Sequence, residues 1–136
     1  MATMQVELVS PEKVLFSGEA VEVITRILGS GEIAFLPGHA PYLGALTENH
    51  TRIKLEDGTI LDVAVHGGFV QVSNNTVSIL SDVAELGEHI DRARAIAAKE
   101  RAERAMADNG AEVEAALARA NARLLASGGP AASTPH

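Results

Sequence analysis

The stretch LDVAVHGGFVQVSNNTVSIL, residues 61 to 80, decides the fold. Leu61, Val63 and Val65 alternate around Asp62, Phe69 to Val72 and Thr76 to Leu80 read as two further short apolar runs, and Gly67-Gly68 and Asn74-Asn75 stand between them. Successive Cβ atoms of a strand point to opposite faces, so a period of two with one apolar face means strand. Gly and Asn accept tight-turn dihedrals without strain, so both dipeptides read as turns.

Outward toward the N-terminus the same pattern recurs. Val6 and Leu8 flank Glu7, Val21 and Val23 flank Glu22, Ile53 and Leu55 flank Lys54, and Asp57-Gly58 supplies another turn. Short antiparallel strands at this spacing predict a β-sandwich or barrel over residues 1–86. Phe16, Phe35, Tyr42 and Phe69, the only aromatics, lie in this part and are expected to fill the gap between two sheets.

Toward the C-terminus the period changes. Alternation stops at Ser81 to Gly87, which reads as a hinge, and Glu88 to Ala126 reads as two alanine-rich helices. Ala95, Ala98, Ala102 and Ala105 line one helical stripe, and Val113, Leu117, Ala120 and Leu124 line another. Asp108-Asn109-Gly110 reads as a cap that turns the second helix back antiparallel. The expected fold class is therefore α+β: an antiparallel β-sandwich (1–86), a two-helix hairpin (87–126) and a disordered tail (127–136). The large apolar residues of the hairpin are only Ile90, Ile96, Met106, Val113, Leu117, Leu124 and Leu125. Fully burying a Leu or Ile is worth about 1.5–3 kcal/mol and an Ala much less, so the hairpin is expected to be helical yet weakly docked.

Charge narrows the function classes. The net charge is −7, and residues 1–86 hold eleven acids against four bases while residues 87–136 hold seven of each. An acidic front end with few aromatics argues against nucleic acid as a partner. With no cysteine in the chain, disulfides and thiolate metal sites are excluded. No run approaches the roughly 18 apolar residues of a membrane span, and Met1 to Leu8 lacks the order of a secretion signal, so a cytoplasm-facing protein is expected.

Arginine placement is the main functional signal. Glu88 with Arg92 and Glu100 with Arg104 have the i to i+4 spacing of ordinary helix pairs. Arg101, Arg119 and Arg123 have no carboxylate three or four residues before them, and Arg94 has only Asp91. Counted from Asn109, Arg94 lies level with Arg123, and Arg101 level with Arg119. Four converging guanidiniums would suit a polyphosphate. Catalysis is not indicated: His39, His50, His66, His89 and His136 show no ligand spacing, and His66-Gly67-Gly68 has no nucleophile elbow to serve.

Several local sequences together resemble the epsilon subunit of the F-type ATP synthase: Val9-Ser10-Pro11-Glu12-Lys13-Val14-Leu15-Phe16-Ser17-Gly18, Gly31-Glu32, Leu36-Pro37-Gly38-His39-Ala40-Pro41, Gly67-Gly68-Phe69-Val70-Gln71-Val72 and Ile90-Asp91-Arg92-Ala93-Arg94-Ala95. The match runs in order over residues 4 to 126. The resemblance implies a non-catalytic rotor subunit of the central stalk, peripheral on the cytoplasmic face of a bacterial plasma membrane. Its sandwich would bind the gamma subunit and the c-ring, with Gly31-Glu32 and Pro37 to His39 near the latter. Its hairpin would either fold beside the sandwich or extend along gamma to the catalytic beta and alpha subunits and block hydrolysis. Some bacterial relatives bind a regulatory ATP in the folded hairpin. The resemblance places that site at Ile90, Asp91, Arg94 and Ala95, with Glu85, Arg101, Arg119 and Arg123; no cofactor is required. The rival reading is a stand-alone anion- or nucleotide-binding sandwich with a helical lid using the same arginines.

Overall fold

The computed structural model describes residues 2–105 and 111–128. The expected cap at Asp108-Asn109-Gly110 and the tail from residue 129 onward lie outside the described residues. Eight strands come first: β1 (Met4–Val9), β2 (Val14–Ala20), β3 (Glu22–Ile27), β4 (Gly31–Phe35), β5 (Tyr42–Lys54), β6 (Ile60–Ser73), β7 (Thr76–Leu80) and β8 (Ala84–Leu86). A 3-10 turn at Gly87–His89 leads to helices α1 (Arg92–Ala105) and α2 (Ala111–Ala126).

The strands pair in the order β2-β1-β7-β6-β5-β3-β4, with β8 added beside β6. All pairs are antiparallel except β1 with β7, which runs parallel. Strands at opposite ends of this path share one core: Val6 and Leu8 of β1 and Val23 and Phe35 of β3 and β4 are fully buried in the same cluster. The sheet has therefore folded over on itself into two facing layers, the sandwich that alternation predicted.

β6 shows how. Val63 and Val65 enter the core before Gly67-Gly68, and Val70 and Val72 enter it afterwards, so the inward parity switches from odd to even across the glycines. Gly67 and Gly68 have φ of +79° and +110° and sit inside the strand, not in the turn the sequence suggested. The partner of β6 changes there too, from β8 on one side of the kink to β7 on the other. One consequence is a corrected aromatic: Phe35 is buried, whereas Phe69 points outward and is 55% exposed. The Asn74-Asn75 turn does form, both residues having positive φ.

The segment read as a hinge is stitched in place. β8 pairs with β6 at Val63 to Val65, and the Ser81 amide donates to the Val9 carbonyl at 3.0 Å. Gly87 is buried because the end of α2 passes close: a Cβ there would meet the Ala126 carbonyl oxygen at 2.1 Å. The hairpin is antiparallel, since Arg92 at the start of α1 donates to the Leu124 carbonyl and Ser127 Oγ at the end of α2. α2 makes the broad contact with β5 and β6, through Ala122 and Ala126 against Ala64. On β6, Ala64 and His66 thus face the hairpin while Val63 and Val65 face the core.

Candidate functional site

Strand β8 and the two helices enclose a polar cavity of about 380 Å³ lined by Glu85, His89, Ile90, Asp91, Arg94, Ala95, Ala98, Arg101 and Arg123. Its size falls within the range of ordinary ligand pockets. Seven of the eight residues singled out from the sequence (Glu85, Ile90, Asp91, Arg94, Ala95, Arg101 and Arg123) meet here; His89 and Ala98 are additions. Arg119 lies outside the lining. Its Nη2 is 3.3 Å from Glu112 Oε1, seven residues earlier. Seven residues are nearly two helical turns, which returns a side chain to the same face. The three- and four-residue spacings considered in the sequence miss that partner.

Helix geometry explains much of the arrangement. Ile90 and Asp91 precede α1, and Asp91 Oδ1 accepts from the Arg94 amide at 3.0 Å while its carbonyl accepts from the Ala95 amide at 3.1 Å. Asp91 is thus the N-cap, and the helix starts four residues later than Glu88 suggested. Arg94 and Arg101, two turns apart, then project from one face of α1 into the cavity. Replacing the cap (Asp91→Ala) is expected to cost about 1 kcal/mol, measured as faster amide exchange confined to the first turn of α1. Unchanged exchange there would refute the cap.

Arg123 faces them from α2, its Nε donating to Glu85 Oε1 at 2.6 Å. Among the described residues neither Arg94 nor Arg101 has a carboxylate within ion-pair distance, and both are exposed. Burial pushes the Glu85 carboxyl up, but hydrogen bonds and charge from Arg123 and His66 outweigh it and hold the group below its ordinary value. Glu85 is therefore ionised at neutral pH. Its stabilising contribution is present above the ordinary carboxylate pKa and lost as pH falls through the lowered one.

Behind Glu85 sits a group that sequence reading assigned to a turn. His66 has a side chain 3% exposed, with Nδ1 2.6 Å from Glu48 Oε2 and Nε2 2.9 Å from Glu85 Oε1. Its carboxylates come from other strands, 18 and 19 residues away along the chain, where no local spacing rule could find them. No group of His and carboxylates among the described residues could hold a metal ion.

The chain's similarities fit this architecture. The ATP synthase delta/epsilon chain β-sandwich domain matches residues 3–87. An ATP synthase epsilon chain of Legionella pneumophila is 43% identical over 129 residues, covering 91% of each chain. That of Streptomyces avermitilis is 41% identical, covering 92% of this chain and 95% of the relative. Among solved structures, a chain of the Euglena gracilis mitochondrial ATP synthase superposes with a TM-score of 0.76 at 23% identity, over 87% of this chain and 77% of that one, a likeness of fold. With a sandwich-domain model matched over residues 3–87 and relatives above 40% identity that cover more than nine-tenths of the chain, the chain belongs to the epsilon chains of ATP synthase.

Proposed function

We propose that this chain is a non-catalytic rotor subunit that couples proton translocation to ATP synthesis, and that its hairpin restrains ATP hydrolysis when it leaves the sandwich. The observation carrying this reading is the arginine-lined cavity, in which Glu85 of β8 meets a lining otherwise supplied by the two helices and the segment leading into them, on a hairpin held mainly by small residues. Buried side chains on α1 are Ala95, Lys99 and Ala102, and on α2 the large apolar ones are only Val113 and Leu124. An element held so lightly can be moved by one ligand.

A nucleoside triphosphate fits that cavity. Arg94, Arg101 and Arg123 would take phosphate oxygens, and Ile90, Ala95 and Ala98 would form the apolar part of the wall. Such a ligand binds only the folded hairpin, so ATP at one hundred times its dissociation constant would stabilise that state by about 2.7 kcal/mol. The extended hairpin would reach the catalytic beta and alpha subunits.

Outer surfaces support the remaining partners. Phe69 is paired in register with Leu80 on one side and Ala45 on the other, and Leu43 is 70% exposed nearby on β5. This apolar strip on a sheet face, beside Val9, Ser10 and Pro11, is a surface for the gamma subunit. For the c-ring the surface is the end bearing Pro37 to His39 and Glu32; Glu32 belongs to β4 and pairs with Arg52 at 2.7 Å, not to a loop. No described helix is long and apolar enough to cross a membrane. Attachment to the cytoplasmic face would therefore come through the complex.

Calorimetric titration of the isolated protein with magnesium ATP tests the ligand. Arg123→Ala should weaken binding at least about tenfold, the equivalent of one charge-assisted hydrogen bond, and Arg119→Ala should leave it near the parent value. No heat from the parent protein, or equal weakening by both substitutions, would overturn the nucleotide reading.

A further inference from the structure

The His66 ring is 3% exposed, and both its nitrogens face carboxylate oxygens. A neutral imidazole carries one N–H, so with Glu48 and Glu85 both ionised one of the two contacts would set lone pair against lone pair. Only the imidazolium donates to both. The groups facing it are Glu48 from β5, Glu85 from β8 and, through Glu85, Arg123 from α2. Beyond Glu85 lie Arg94 and Arg101, with Asp91 and exposed His89 also lining the cavity.

Glu85 Oε1 is the shared point. It is 2.9 Å from His66 Nε2 and accepts from Arg123 Nε at 2.6 Å, so one carboxylate oxygen faces a ring nitrogen of the sandwich and a guanidinium of the hairpin. We propose that His66 is a positioning residue that links one proton to the charge of the arginine cavity through Glu85. With the proton bound, Glu85 is compensated from behind and the arginines meet an incoming anion with little opposition. When His66 releases its proton to solvent, a carboxylate-facing nitrogen becomes a lone pair, and Glu85 is left with Arg123 as its one cation, so more of that guanidinium's charge is spent on Glu85 and less meets an incoming anion. Anion affinity then falls as pH rises. By reciprocity, a bound anion holds the His66 proton more tightly.

The effect on anion affinity rests on the nucleotide reading; the coupling of His66 to Arg123 does not, and two measurements separate them. In the first, magnesium ATP is titrated into the full chain at several values between about pH 6 and pH 8, the range in which an imidazole can titrate. The parent affinity should fall about five-fold more than that of His66→Gln, the low end for coupled sites. His50→Gln, which removes a histidine paired with Asp62 and outside the cavity lining, should keep the parent slope. A parent slope retained by His66→Gln, or lost with His50→Gln, overturns the proposal.

In the second, the ring nitrogens of His66 are followed by NMR across the same range in the free parent protein and in Arg123→Gln, both of which retain His66. Both nitrogens should be protonated at the acid end, and removing the guanidinium should move the midpoint upward. A ring that stays neutral throughout, or a midpoint that Arg123→Gln leaves unmoved, refutes the link whatever ATP does. If no ATP binds at any pH while the midpoint still moves, the nucleotide reading falls and the proton link stands.

Discussion

Gly68→Ala is expected to lower the unfolding free energy by about 4 kcal/mol, the sum of a dihedral penalty and an overpacking penalty. At φ +110° an L side chain is strained, and a Cβ at Gly68 would sit 2.1 Å from the Leu80 carbonyl oxygen and 2.8 Å from Ser81 Cα. Both obstacles are backbone, so no rotamer change relieves them. β6 bends here and exchanges β8 for β7, so the strand can shift only by opening the pairing of Phe69 with Leu80. For a domain of this size the loss should appear as a fall of roughly 20 °C in the unfolding midpoint. Gly67→Ala is the control. Its φ is also positive, but the nearest atom to its Cβ would be 4.0 Å away, so it carries the dihedral cost alone. Equal losses from the two substitutions would mean that the kink, and not the close approach of β7, sets the requirement.

These glycines also mark where the sequence stopped being legible. Alternation reports which face a residue takes, provided the phase is constant, and it located β1, β3, β7 and both halves of β6. It could not report a phase reversal inside one strand, so Gly67-Gly68 read as a turn and Phe69 as core. β2 and β4 fell below notice because β2 runs VLFSGEA and β4 runs GEIAF, with little clean alternation, and both are strands at the ends of the pairing path. β8 escaped for a different reason: at three residues it is too short to show a period, and it is strand because β6 offers it a partner.

The candidate site followed the same division. Its helical part was readable in part, since the arginines are counted along periodic elements: of the two pairs counted as level, Arg94 and Arg123 share the cavity, whereas of Arg101 and Arg119 only Arg101 lines it. What joins the site to the sandwich was not readable, because His66, Glu48, Glu85 and Arg123 come from four elements whose adjacency exists only after the sheet has folded over. Counting near spacings also missed Arg119 with Glu112, so a cation that looked free in the chain is paired in the fold.

Deleting residues 88–136 should leave a folded sandwich and release ATP hydrolysis in the reconstituted complex. The first half follows from how the cores divide. The large cluster runs from Met4 to Ile79 with Ala84 and Leu86 packed on it, and among the described residues it takes nothing from either helix. The hairpin touches the sandwich through a separate cluster in which Ala122, Ala126 and Ile90 cover Ala64. Removing that cover exposes Ala64, the polar face of β5 that α2 crosses and the His66 pair with Glu85, a loss of about 2 kcal/mol. Thermal unfolding of the truncated chain should stay cooperative with a modestly lower midpoint; an unfolded product would show that the hairpin is part of the core and could never leave it. The second half follows from the proposed role. If the extended hairpin blocks the catalytic head, complexes carrying the truncated chain should hydrolyse ATP faster than complexes carrying the full one, and ATP concentration should no longer change the degree of restraint. The Arg123→Ala chain should do the reverse, since a ligand bound tenfold more weakly stabilises its folded hairpin by about 1.4 kcal/mol where the parent gains about 2.7, so the hairpin spends less time folded and restrains hydrolysis at ATP levels that free the parent. Equal hydrolysis by all three complexes would leave the arginine cavity with a ligand but no control over the motor.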